Sequence, residues 1–319
     1  MNLDPLAMVS AGSVLGRFRW VAVLLLTLTF PVAAAVVPTV NFTGPATYTP
    51  GSAASTYTAV LGNTGATTAS SARLTTDFPA AATVTWSCVA AGAGTSCGAA
   101  SGTGNPTALD PGTLAQNGTL TFTFSVIFAS SLTTDPLAVV ASFDGDGGGP
   151  DAAVTDSVSS SFNPTRVWSV AFVNPSPLEY VPGTSTNNLS LTVTNAGPSD
   201  GTATLSLPVP GQATVGNWAC VPSAACSPAS GTGAIAGLVV TRAKSGSVTI
   251  NLTNVGYASN ATSSKTWTAT ADWTDGNPSA TVSQTTNDSV TLSRRAESDY
   301  SVTLTGNSNY TPGAAYTLT

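Results

Sequence analysis

The sequence Tyr48-Thr49-Pro50-Gly51 recurs as Tyr180-Val181-Pro182-Gly183 and again as Tyr310-Thr311-Pro312-Gly313. The copies lie 132 and then 130 residues apart, which matches a whole small domain rather than the roughly 20 to 50 residues of a solenoid repeat. Proline presets φ at the first corner of a turn and glycine accepts a positive φ at the second. Each copy therefore predicts a type II turn, preceded by a half-buried tyrosine that anchors it.

Composition favours strands over helices. The 319-residue chain has 8% charged residues and a net charge of −6, and its two lysines are Lys244 and Lys265. Residues that favour helices, above all Glu and Lys, are scarce, whereas Val, Thr and aromatic residues are common. We predict an all-β chain that does not bind nucleic acid, because phosphate binding needs clustered basic residues.

Hydrophobic residues alternate with polar ones in several short runs. Examples are residues 57–61 and 120–126, and then residues 189–193 and 248–252 at corresponding places further along. A period of two is typical of a strand with one buried face. About seven such strands in about 130 residues predict Ig-like β-sandwich domains in tandem.

The first 35 residues differ from the rest. Arg17 and Arg19 precede the apolar run Trp20 to Phe30, and Ala33-Ala34-Ala35 follows. This order predicts a secretory signal peptide at residues 1–35, so the mature chain would be secreted or displayed on the cell surface with no membrane span. An uncleaved membrane anchor is the alternative, although the apolar run is short for one.

The copies set the predicted domain bounds. Repeat 1 covers residues 36–162, repeat 2 covers residues 163–295, and residues 296–319 are the start of a third repeat. The linkers between them are short and polar, which predicts a semi-flexible array.

Four cysteines fit an exported protein: Cys88, Cys97, Cys220 and Cys226. Three pairings are open, and one disulfide within each repeat is the pairing that a repeated fold favours. A metal site and a redox pair are the alternatives, but the chain has no histidine and no Cys-x-x-Cys motif.

Several of these features occur together in one known group. They are the turn Asn195-Ala196-Gly197-Pro198-Ser199, the Trp-x-Cys bridge, the run Ser230-Gly231-Thr232-Gly233 and the closing Asn287-Asp288-Ser289-Val290. In these the chain resembles the bacterial surface Ig-like repeats called domain of unknown function eleven, from about Val36 onward. The resemblance implies secreted tandem sandwiches with a structural or adhesive role and no catalytic residues. Repeat 1 departs from the pattern at Ala66, where repeat 2 has proline.

One enzyme pattern is present, because residues 197–201 match G-x-S-x-G around Ser199. A nucleophile elbow needs a following helix and a histidine, and here a strand-like run follows in a chain without histidine. We interpret the match as a hairpin turn and predict that the protein is not an enzyme.

Acidic loops are the candidate metal sites, because oxygen-rich turns can hold Ca²⁺. No EF-hand spacing is met, so solvated turns are the alternative. The candidate ligands are Asp144, Asp146 and Asp151 in repeat 1, and Asp272, Asp275 and Asn277 in repeat 2.

Trp86 and Trp218 each lie two residues before a bridge cysteine. They predict either core residues packed on the disulfide or exposed platforms for sugars. We expect a structural spacer or adhesion module whose partner is a surface glycan, a surface protein or another copy. A non-catalytic stalk of a larger secreted enzyme and a carbohydrate-binding module are the alternatives.

Overall fold

The computed structural model describes residues 35–149, 152–184, 187–276, 282–295, 302–303, 305–306, 312–313 and 315. These residues form an all-β fold of two sandwiches, as the alternating pattern predicts. Within them, the one helical element is a turn of 3-10 helix at Ser223–Ala225. The predicted signal peptide up to residue 34, and most of the predicted third repeat, lie outside the described residues.

The first sandwich contains twelve strands among the described residues. They are β1 Pro38–Thr43, β2 Thr47–Tyr48, β3 Ser55–Asn63, β4 Arg73–Thr76, β5 Thr83–Ala91, β6 Ser96–Cys97, β7 Ser101–Thr103, β8 Thr107–Leu109, β9 Gly112–Thr113, β10 Thr119–Ile127, β11 Leu137–Asp144 and β12 Val154–Phe162. One sheet has the order β1-β3-β10-β5-β7 and the facing sheet the order β2-β12-β11-β4-β8, while β6 and β9 form a two-stranded ribbon.

The second sandwich repeats this arrangement with eleven described strands. They are β13 Trp168–Val173, β14 Glu179–Tyr180, β15 Asn187–Asn195, β16 Gly201–Leu207, β17 Ala213–Val221, β18 Cys226–Ser227, β19 Ser230–Gly231, β20 Ile235–Arg242, β21 Gly246–Tyr257, β22 Lys265–Thr274 and β23 Ser283–Arg294. The two sheet orders are β13-β15-β21-β17-β19 and β14-β23-β22-β16-β20-β18.

Each sandwich has a core of its own. Tyr57, Ala59 and Leu61 on β3 are fully buried, and Leu120 of β10 lies directly opposite Leu61. In the second sandwich Val193 of β15 pairs with Val248 of β21 in the same way. The buried residues of the two sandwiches form two separate hydrophobic clusters. The period of two thus places the apolar faces of both sheets inward, as the sequence predicts.

The tyrosine of the repeated motif is more buried than the sequence suggests. We expected a half-buried anchor, but Tyr48 and Tyr180 are each 1% exposed. Their hydroxyl groups donate to the carbonyl oxygens of Thr134 and Ser263, which satisfies the one polar atom of each ring. Burial raises the pKa of Tyr48 to about 12.

An aspartate ties the two sheets together at the edge of each sandwich. The Asp156 carboxylate of β12 accepts a hydrogen bond of 2.7 Å from the amide of Phe42 on β1, an edge strand of the facing sheet. Asp288 of β23 does the same for Phe172 of β13, also at 2.7 Å. A backbone donor that would otherwise be unpaired at the sheet edge is therefore bonded to a charged acceptor.

Candidate functional site

The two sandwiches contact each other through two turns. The first sandwich supplies carbonyl oxygens, and the second supplies donors. The Ser199 hydroxyl donates to the Pro50 carbonyl at 2.9 Å, and the Asp200 amide donates to the Ser130 carbonyl at 3.0 Å. We call Pro50, Gly51 and Ser130 the acceptor face, and Pro198, Ser199 and Asp200 the donor turn. Together they form the joint between the sandwiches.

Gly51 lets the two turns approach closely. Its φ of +71° is the left-handed region, and its backbone amide donates to the Phe128 carbonyl at 2.9 Å. A Cβ added at Gly51 would lie 2.0 Å from the Pro198 carbonyl oxygen. The Lys244 ammonium also reaches the Gly51 carbonyl, at 3.4 Å. The joint therefore requires glycine at position 51 for two reasons. The turn needs a positive φ, and the Pro198 carbonyl leaves no room for a Cβ.

Ser199 is a joint residue rather than an exposed nucleophile. It is 1% exposed, and its hydroxyl accepts from the Thr165 amide at 3.1 Å while it donates across the joint. We expected a hairpin turn here, and that expectation is wrong. β15 pairs with β13 and β21, whereas β16 pairs with β20 and β22, so the turn crosses from one sheet to the other.

The linker between the sandwiches is anchored at both ends. The Asn163 amide donates to the Tyr48 carbonyl at 3.0 Å, which fixes Asn163 to the first sandwich. Thr165 exchanges two hydrogen bonds with Ser199, because the Ser199 amide also donates to the Thr165 carbonyl at 3.2 Å. Between them lies Pro164, which is buried and whose ring fixes φ. Few backbone torsions remain free to change the angle between the sandwiches.

Arg166 extends this anchoring into the second sandwich. Its guanidinium donates to the Asp200 carbonyl at 2.9 Å, and to the carbonyls of Thr274 and Asp275 at 3.2 and 2.9 Å. Burial lowers the pKa of Arg166 from its ordinary value, while the charges of Asp275 and Asp200 act in the opposite direction. The arginine thus connects the linker, the donor turn and an acidic loop of the second sandwich.

In the acidic loop of the first sandwich, the carboxylates accept hydrogen bonds from backbone amides of the same loop. Asp144 Oδ1 accepts from the amides of Asp146 and Gly147 at 3.1 and 2.9 Å, and Asp146 Oδ1 accepts from Gly149 at 3.0 Å. Such bonds are typical of Asx turns. Asp151, the third candidate ligand in this loop, lies outside the described residues.

The acidic loop of the second sandwich already has a cation beside it. Asp272 accepts from the Thr285 hydroxyl and Asp275 from the Val282 amide, and Arg166 lies against the loop. Asn277 lies outside the described residues. Among the residues that the structure describes, no cluster of three or more potential metal ligands is found. Calcium binding therefore stays a prediction.

Each sandwich contains one disulfide, Cys88–Cys97 in the first and Cys220–Cys226 in the second. Cys88 and Cys220 point into the core from β5 and β17, on the same strand face as the tryptophan two residues before. This is the pairing within repeats that the sequence favours.

Trp86 and Trp218 are core residues. They are 8% and 6% exposed, and each lies opposite a glycine, Gly102 or Gly231, whose lack of a side chain leaves room for the indole ring. Their indole rings are therefore not exposed platforms on which a sugar could stack. Trp273, at the end of β22, is half-buried and borders two shallow surface depressions.

Within the described ranges, no helix is long and apolar enough to cross a membrane. No family model and no curated protein matches the chain. Among solved structures, the chain is similar to the Streptococcus agalactiae AgI/II polypeptide BspA C-terminal domain, at 8% identity and a TM-score of 0.26, over 81% of this chain and 100% of that one. A structure called BspA_C_mut gives 8% identity and a TM-score of 0.24, over 80% and 98% of the two chains. The fold class rests on the strands and sheets of the chain itself.

Proposed function

We propose that the chain is part of a secreted or cell-surface array of Ig-like sandwiches that acts as a structural spacer or adhesion module. The joint is the observation that carries this proposal. Two domains that are joined by a free linker can swing, and they present surface features at no fixed angle. Here the linker is anchored on both sides and the turns bond directly, which supports a fixed mutual orientation.

A spacer needs little chemistry of its own. Its contacts with a surface glycan, a surface protein or another copy can be weak, because repetition along one chain raises avidity by about 10² to 10⁴ over a single contact. The burial of Ser199, the central residue of the G-x-S-x-G match, supports a non-catalytic role. The tandem arrangement, export through the signal peptide and membership of the resembled repeat family belong to the same proposal.

Rotational diffusion of residues 36–295 tests the spacer role. ¹⁵N relaxation should fit one diffusion tensor for both sandwiches, because the joint makes them tumble together. The variant Ser199→Ala with Lys244→Ala removes two side-chain donors of the joint and should give each sandwich a tensor of its own. Thr67→Ala is the matched control, since Thr67 is the exposed counterpart of Ser199 in the first sandwich.

Two independent tensors in the unmodified chain would refute the spacer proposal. A single tensor that survives the double substitution would show that other contacts hold the orientation.

A further inference from the structure

The second sandwich repeats the backbone of the acceptor face. The Gly183 amide donates to the Tyr257 carbonyl at 2.8 Å, just as Gly51 donates to Phe128 at 2.9 Å. Gly183 also has a left-handed φ, +81° against +71° at Gly51. Ser259 lies two residues after Tyr257, as Ser130 lies two residues after Phe128. We call Pro182, Gly183 and Ser259 the second acceptor face.

Among the residues that the structure describes, nothing covers the second acceptor face as the donor turn covers the first. Of the described residues, a Cβ added at Gly183 would meet Ser259 alone, at 3.5 Å. Within the described residues, no donor is bonded to the carbonyl of Pro182, Gly183 or Ser259. Each position is more exposed in the second sandwich than in the first, and the corresponding pairs are Pro50 and Pro182, Gly51 and Gly183, and Ser130 and Ser259.

The contact at the joint has a direction, because one sandwich accepts and the next one donates. The second sandwich carries both parts, its donor turn and a second acceptor face. The first sandwich has Ala66, Thr67 and Thr68 where the second has the donor turn, and Thr67 is exposed. A head-to-tail contact of this kind leaves one donor turn and one acceptor face unused at the two ends, so it can be repeated along a series.

The sequence after the second sandwich keeps the spacing of the first linker. The Arg295 amide donates to the Tyr180 carbonyl at 2.9 Å, as Asn163 donates to Tyr48. Tyr300-Ser301-Val302 follows Arg295 at the distance at which Trp168-Ser169-Val170 follows Asn163. A sandwich that begins there would place its donor turn within reach of the second acceptor face.

We propose that the second acceptor face binds the donor turn of a further sandwich of the same kind, joined in series after Arg295. This proposal rests on the proposed role of the chain as an array, and it names the surface through which the array is extended. The Pro182 and Ser259 carbonyls would accept from the serine hydroxyl and the aspartate amide of the incoming turn, and the Gly183 carbonyl from a lysine.

The test uses residues 36–295 followed by a second copy of residues 164–295, with the added copy isotope-labelled separately. The probe is hydrogen exchange at the backbone amide of the added copy's residue 200. We expect this amide to exchange as slowly as that of Asp200 in the existing joint. Gly183→Ala should speed its exchange at least tenfold. Gly51→Ala is the matched control, because both glycines have a left-handed φ and the two substitutions strain the backbone alike. It should speed exchange in the existing joint and leave the added copy unchanged.

Slow exchange of the core amides in the added copy would confirm that it folds. An exchange rate at residue 200 that is fast and unchanged by Gly183→Ala would overturn the proposal, while an intact first joint would leave the spacer role standing. Self-association of residues 36–295 that Gly183→Ala abolishes would assign the face to copies in other molecules, and would overturn docking in series.

Discussion

Gly51→Ala should uncouple the two sandwiches, and Gly183→Ala is its internal control. Both substitutions place an alanine in a left-handed conformation, at φ +71° and +81°, which costs about 1 to 2 kcal/mol at either site. Only the Cβ at Gly51 also meets the opposite turn, 2.0 Å from the Pro198 carbonyl oxygen, a distance at which the turns must separate.

The extra cost at Gly51 can be worked from the bonds that separation breaks. The Ser199 and Asp200 hydrogen bonds across the joint, at 2.9 and 3.0 Å, are each worth about 0.5 to 1.5 kcal/mol net, and the longer Lys244 contact adds less. The joint's share of the difference between the two variants should thus be about 1 to 3 kcal/mol. For domains of this size, that corresponds to about 4 to 10 °C in the first unfolding midpoint.

Differential scanning calorimetry of residues 36–295 measures this difference, and a double-mutant cycle isolates the joint. Ser199→Ala should cost less in the Gly51→Ala background than in the parent chain, because the serine no longer reaches the Pro50 carbonyl. The bond that its hydroxyl accepts from the Thr165 amide is lost in both backgrounds and cancels in the cycle. A coupling energy below about 0.5 kcal/mol in this cycle would refute the reasoning. A Cβ at Gly51 would also lie 2.8 Å from the Ser130 Cβ. Both residues belong to the first sandwich, so this clash adds to the cost of Gly51→Ala but does not enter the coupling energy.

Three further outcomes are expected. Burial raises the pKa of Tyr48 to about 12, whereas the unfolded chain releases that proton near 10. The contribution of Tyr48 to the free energy of unfolding should therefore be constant just below pH 10 and fall between pH 10 and about 12. In urea titrations at each pH, Tyr48→Phe should make this fall smaller. Asp288→Ala should lower the free energy of unfolding by about 1 to 3 kcal/mol, because the Phe172 amide loses its acceptor; an Asp288→Asn variant that is equally destabilised in urea would contradict this account. Asp275→Asn should leave any effect of millimolar Ca²⁺ on the thermal midpoint unchanged, since Arg166 already supplies positive charge at that loop; a calcium effect that disappears in this variant would prove the reasoning wrong.

The sequence predicted the strands well, for a physical reason. A strand with one buried face must alternate, so runs such as residues 57–61 and 120–126 carry the pattern in their own side chains. The depth of Tyr48 was underestimated, because the sequence does not show that the Thr134 carbonyl is placed to accept from its hydroxyl. The crossing between sheets after β15 was missed, because a turn has the same local chemistry whichever sheet follows it.

The joint was harder to predict. Ser199 and Asp200 bond to the backbone carbonyls of Pro50 and Ser130. Every residue has a backbone carbonyl, so the sequence does not show which ones accept these bonds. The available signal was a difference between the copies, namely that the first has threonine where the second has Ser199. Within the G-x-S-x-G match, we interpreted that serine as part of a hairpin turn and not as a contact between domains.

The edge aspartates have a consequence for how such a chain folds. When similar domains follow one another, an edge strand of one can insert into the sheet of its neighbour during synthesis, which is a characteristic failure of repeat proteins. Asp156 and Asp288 each accept a hydrogen bond from an edge-strand amide of the same sandwich, so a strand of another domain that adds at this edge would first have to displace a charged acceptor. These two carboxylates thus keep one amide of each edge strand from pairing with a neighbouring domain.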